Sequence, residues 1–84
     1  MIVTVKLFAS LSRFAPGGLP GTPFELEIPP STSLRQLADR LSIPVEEMKV
    51  AFVNGLICDL EQSLKSGDEI GFFPPVGGGS VGGN

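Results

Sequence analysis

An α+β fold, one main helix packed on a mixed β-sheet, is what this 84-residue chain predicts. Three observations predict it. Short runs rich in β-branched and aromatic residues recur, each bounded by Pro, Gly or Asn-Gly punctuation. A single longer run carries apolar residues at the three- and four-residue spacing of a helix. The order is two strands, the helix, then three strands, and this lack of strict alternation argues against a doubly wound parallel sheet.

Residues 2–8 put Ile2, Thr4, Lys6 and Phe8 on one face of a strand and Val3, Val5 and Leu7 on the other, which is assigned to the core. Residues 9–15 predict a short helix that Pro16-Gly17-Gly18 stops. Phe24-Glu25-Leu26-Glu27-Ile28 alternates apolar and acidic residues, so it reads as a half-buried strand with both glutamates in water. The loop between these strands is short enough for an antiparallel hairpin. Ser33, three residues before Gln36, opens a capping box. Leu34, Leu37, Ala38 and Leu41 then form the apolar stripe, with Arg35, Asp39 and Arg40 opposite. Pro44 disfavours a helical Ile43, which ends the helix near Ser42.

One turn over residues 45–47 precedes a strand over 48–53. Asn54-Gly55 is a hairpin signal, because both residues tolerate positive φ, and residues 56–58 return. Residues 65–68 read as a tight turn and 69–73 as the last strand, ended by Pro74-Pro75. A sheet wrapped around one helix, with its first and last strands as central parallel neighbours, is the β-grasp arrangement. Residues 1–76 are assigned to this domain and 77–84 to a flexible glycine-rich tail.

Composition narrows the function. The net charge is −3 and no basic run exists, so the electrostatic footprint of a nucleic-acid binder is missing. No apolar stretch is long enough to span a membrane and no signal-peptide pattern opens the chain, which predicts a cytoplasmic protein. Histidine is absent, removing the commonest general base and metal ligand. Cys58, the single cysteine, builds neither an internal disulfide nor a zinc site and reads as a small buried hydrophobe. Asp59, Glu61, Asp68 and Glu69 read as a solvated face and turn residues rather than a metal cluster. No catalytic residue, metal or bound cofactor is expected of the chain itself.

Five of the eleven glycines follow Val76. Glycine carries no Cβ, so such a stretch is slim enough to enter another protein's cleft. Phe72 and Phe73 must point to opposite faces of their strand, one into the core and the other either to the core's edge or to a partner. Phe8 lies opposite the core residues of its own strand, and Ile57 reads equally as core or as surface patch.

These residues carry a resemblance. The run from Gly67-Asp68-Glu69 through Phe72-Phe73-Pro74-Pro75-Val76 to Gly78-Gly79 resembles the end of the small subunit of molybdopterin synthase. The opening Val5-Lys6-Leu7-Phe8-Ala9 and the hairpin Ala51-Phe52-Val53-Asn54-Gly55 are similar as well. The wider group is the MoaD/ThiS sulfur carriers, which are ubiquitin-like β-grasp proteins. The resemblance implies that an E1-like adenylyltransferase activates the terminal glycine carboxylate with ATP and that sulfur then gives a thiocarboxylate. It also implies docking on the molybdopterin synthase large subunit, with Phe8, Ile57, Phe73, Pro74, Pro75 and Val76 as partner-binding residues and Gly78-Gly79 as the reactive end.

One departure stands out. Family members of this kind normally end at the second glycine, although some sulfur-carrier systems carry a removable extension, and here Ser80-Val81-Gly82-Gly83-Asn84 follows. A protease trimming after Gly79, removal of Asn84 to expose Gly82-Gly83, and a chain that serves only as a binding module are the three readings. A carrier for thiazole or another sulfur metabolite, a ubiquitin-like protein modifier and a non-covalent adaptor are the alternative functions.

Overall fold

The computed structural model describes residues 1–18, 21–48 and 50–74. Strand β1 (Ile2–Leu7) is an interior strand, second from one edge, of a five-stranded sheet. On one side it pairs antiparallel with β2 (Phe24–Glu27), and on the other parallel with the last strand. Helix α1 (Leu34–Arg40) follows β2. Strands β3 (Val50–Val53) and β4 (Leu56–Cys58) form the second hairpin, and β5 (Glu69–Phe73) inserts between β1 and β3. The order β2-β1-β5-β3-β4, with its parallel central pair, is the predicted β-grasp topology.

The core sits between one sheet face and α1. Val3, Val5 and Leu7 of β1, Ile70 and Phe72 of β5, and Ala51 and Val53 of β3 meet Leu34, Leu37 and Ala38 of α1. Leu11, Ile28, Ile43, Met48 and Leu64 close the rim. The period-two pattern of β1 and the helical stripe were both visible in the sequence, and both face inward here.

The capping box is complete. Gln36 N–H donates to Ser33 Oγ at 3.2 Å, and Ser33 N–H donates to Gln36 Oε1 at 2.9 Å. The segment between β4 and β5 completes the helix start, since Leu34 and Arg35 N–H donate to the carbonyls of Gln62 and Leu60. At the other end Ser42 takes φ +63°, Ser42 N–H donates to Asp39 O and Ile43 N–H donates to Ala38 O. That pair of bonds is a Schellman stop, with serine in the left-handed position that glycine usually fills. The helix therefore ends by its own backbone geometry, with the left-handed residue two positions before Pro44.

Asn54 and Gly55 have φ of +53° and +83°, as a tight primed turn requires. Three expectations change. The third strand starts at Val50 rather than 48, because Met48 closes a short 3-10 turn (Val45–Glu47) through its N–H to Val45 O. Cys58 is half-buried against the core's edge, since β4 is an edge strand that pairs on one side only among the described residues. Asp68 belongs to a turn as expected but is buried. Its carboxylate accepts from Lys65 N–H at 2.8 Å and from Asn54 Nδ2 at 3.0 Å. Asn54 Oδ1 in turn accepts from Glu69 N–H at 3.0 Å, so this cluster clamps the β3–β4 turn to the start of β5.

Candidate functional site

The sheet face turned away from α1 carries the candidate site. Strand alternation sends Lys6 outward from β1, Phe52 from β3, and Gly71 and Phe73 from β5. Backbone register aligns Lys6, Gly71, Phe52 and Ile57 in one row across four strands. Phe8, one residue past β1, keeps extended backbone and donates its N–H to Phe72 O, so it continues the outward set.

Three aromatic rings meet there. Phe8 stacks on Phe73 with centroids 4.3 Å apart and planes 4° from parallel. Phe52 approaches Phe73 edge-on at 5.4 Å and 72°. Both geometries suit the ring quadrupole. Gly71 makes room for the stack, because a Cβ built there would lie 3.3 Å from Phe8 Cε2. The rings line a shallow groove of about 230 Å³ with Lys6 and Glu69 at its polar edge. Lys6 takes part in neither ion pair found among the described residues, Arg13–Glu47 and Arg35–Glu61.

Ile57 resolves to the surface. It is 72% exposed and shares Phe52's face through their pairing. Phe73 takes the outward position while Phe72 is fully buried. The structure thus brings Phe8, Phe73 and Ile57 onto one face, and half-buried Pro74 continues directly from Phe73. Pro75, Val76, Gly78, Gly79, Gly82 and Gly83 lie outside the described residues. Phe52, Gly71 and Lys6 are members that the sequence reading did not single out. The alternation of Ala51 and Val53 inward against Phe52 outward was the available signal. Among the described residues no three acidic or cysteine side chains converge to hold a metal ion.

An aromatic face at the end of the strand that runs on toward a glycine-rich terminus is the arrangement to compare with known proteins. The sequence profile of the ThiS family matches residues 5–79. The chain belongs to the ThiS family. It is 32% identical over 83 aligned residues to the molybdopterin synthase sulfur carrier subunit of Escherichia coli, a match covering 93% of this chain and 100% of that protein. The subunit of the same name from Haemophilus influenzae is 43% identical over 47 residues, a match spanning 55% of this chain and 58% of the relative. Among solved structures, a Pyrococcus furiosus protein assigned as molybdopterin converting factor subunit 1 superposes with a TM-score of 0.68 at 30% identity. That match covers 90% of this chain and 99% of the other. This ThiS-family chain is thus a member of the MoaD/ThiS sulfur carriers, with a β-grasp fold.

Proposed function

We propose that this chain carries sulfur for molybdopterin synthesis on the carboxyl group of Gly79. The observation that carries the reading is that β5, which presents Phe73 within the stacked aromatic face, continues in sequence through Pro74-Pro75-Val76 to Gly77-Gly78-Gly79, where the family match ends. The names of the E. coli and H. influenzae relatives supply the pathway.

In this reading an E1-like adenylyltransferase and the molybdopterin synthase large subunit grip the same face. Phe8, Phe73 and Ile57 bury apolar area against the partner, and Phe52 supports Phe73 from the side. Glycines 77–79 add no side chains, so their backbone can enter a slim cleft. A carboxylate resists nucleophilic attack. Its oxygen therefore first attacks the α-phosphorus of ATP and expels pyrophosphate. Hydrosulfide delivered by the sulfur donor then forms the C–S bond as the C–O bond to AMP breaks, and loss of the S–H proton leaves the thiocarboxylate. The chain supplies the reacting group and the docking surface, and its partners supply catalysis.

The test is intact mass spectrometry of a chain ending at Gly79 after incubation with the activating enzyme, ATP and a sulfur donor. The expected gain is the difference between sulfur and oxygen. An unchanged mass with an enzyme that charges its own carrier would refute the reading. Branched peptides joining Gly79 to lysines of other proteins would replace it with the modifier function.

A further inference from the structure

Among the described residues, the two most exposed large apolar side chains sit next to each other on β4, Leu56 at 71% and Ile57 at 72%. β4 is an edge strand. Sheet edges invite a further strand, and proteins blunt them with charge or proline. The opposite edge follows that rule, since Glu25 and Glu27 stand exposed on β2. β4 reads Leu-Ile-Cys and carries no charge. The acids that follow it are engaged elsewhere. Asp59 Oδ1 accepts from Glu61 N–H at 2.9 Å, and the Glu61 carboxylate pairs with Arg35 at 2.8 Å.

The backbone of that edge is open as well. Asn54 N–H donates to Glu69 O, so the Asn54 amide points toward β5. Backbone groups alternate sides along a strand, which turns Val53 and Ala51 toward β4 and Phe52 toward β5. Val53–Leu56 and Ala51–Cys58 are therefore the hydrogen-bonded pairs of the second hairpin, and Phe52–Ile57 is a non-hydrogen-bonded pair. The N–H and C=O of Ile57 point away from β3, in the plane of the sheet.

We infer that β4 is a self-pairing edge, through which two copies of this chain join antiparallel about a two-fold axis at Ile57. In that register Ile57 faces Ile57 of the second copy, and each donates its N–H to the other's carbonyl. Leu56 lies opposite Cys58, and Gly55 lies opposite Asp59. Apolar residues meet apolar residues and no like charges meet, so the strand is its own complement. That self-complementarity names a second copy as the occupant rather than a foreign strand. Three residues a side fall far short of the roughly 800 Å² per partner of a stable complex, so the pairing is weak and set by concentration. The inference stands on the edge and does not need the carrier reading. Where that reading holds, pairing engages Ile57, one of the docking residues, and the copies must part before a partner takes that face.

The experiment follows the full chain by sedimentation and amide NMR over a dilution series from millimolar to micromolar. The expected result is a dimer fraction that falls on dilution, with the amide signals of residues 55–59 shifting together and the Ile57 amide exchanging more slowly at the concentrated end. Ile57→Lys changes an exposed side chain, so the remaining spectrum should persist while the association is lost. Leu56→Cys tests the register. Leu56 and Cys58 of the second copy form a non-hydrogen-bonded pair with Cα atoms about 4.5 Å apart, within disulfide reach. With oxidised glutathione, Leu56→Cys should give a covalent dimer. The wild type, with Cys58 alone, and a Glu25→Cys control on β2 should stay unlinked. A monomer at every concentration would overturn the inference. So would Ile57 amide protection that ignores dilution, which marks an edge covered within one chain, or dilution shifts confined to Phe8, Phe52 and Phe73, which mark association through the aromatic face. None of these readouts uses a carrier partner, so the carrier reading stands or falls separately.

Discussion

Truncating Phe72 and Phe73 separately to alanine makes the same chemical change at adjacent positions on opposite sheet faces. Phe72 is fully buried among the core residues of β1, β3 and β5. Removing its ring leaves a cavity and should cost about 3–5 kcal/mol. Stability near 0.05–0.15 kcal/mol per residue gives this domain only about 4–13 kcal/mol in total. At about 4–8 °C per kcal/mol, Phe72→Ala should lower the melting temperature by about 12–40 °C. Phe73 is half-buried and loses one stacked and one edge-on ring contact, for about 1–2 kcal/mol. Its larger effect should be on docking. Under the proposed carrier function Phe73 is an aromatic anchor at an interface centre, which contributes at least about 2 kcal/mol, so Phe73→Ala should weaken binding to a molybdopterin synthase large subunit about 30-fold. The chain has no Trp or Tyr, so calorimetry suits both readouts: scanning for stability and titration for affinity. The reasoning is refuted if Phe73→Ala melts as low as Phe72→Ala. It is equally refuted if Phe73→Ala binds like the wild type.

Three further outcomes are expected. Ser42→Gly should raise stability by about 1 kcal/mol in thermal denaturation, because an exposed serine now occupies φ +63° where glycine is unstrained. Asp68→Ala should lower it by about 2–3 kcal/mol by leaving Lys65 N–H and Asn54 Nδ2 without their acceptor, and Asp68→Asn should lose less, since its amide oxygen still accepts. Gly71→Val should push the Phe8 ring out of its stack, which ring-current shifts of the aromatic NMR signals would report, and weaken docking about tenfold.

The sequence showed most clearly what is set by local chemistry. Ser33 and Gln36 stand at capping-box spacing, Asn54-Gly55 demands a primed turn, and the alternation in β1 names its inward face before any partner strand is known. Residues whose place depends on pairing were harder to read. Ile57 was ambiguous because β4 is three residues long, too short for its own alternation to declare a face, and only its register against Phe52 resolves it. Phe52 itself was hidden in an apolar run, Val50 to Val53, where every residue looks like core. Asp68 appeared as one more turn acid, since its burial arises from Asn54 and Lys65, fourteen and three residues away in sequence. The helix stop was right in place but wrong in cause, because a serine in the left-handed conformation carries no distinguishing sequence mark.

The clamp around Asp68 has a consequence at the other end of β5. Successive side chains on a strand face opposite ways, so a slip of one residue would turn Phe72 out and Phe73 in. The aromatic pair cannot prevent this by itself, for the two residues are chemically identical. The register is instead fixed upstream, where Thr4 N–H donates to Asp68 O at 2.9 Å and Asn54 exchanges bonds with Glu69 through both its backbone and its side chain. Glycine at 71 adds a second restraint. The Phe8 ring covers that position, and a slip would put the larger Ile70 or Phe72 side chain beneath it. Which phenylalanine lies on the outward aromatic face is therefore decided by a buried carboxylate four residues before Phe72 and by one missing side chain between them.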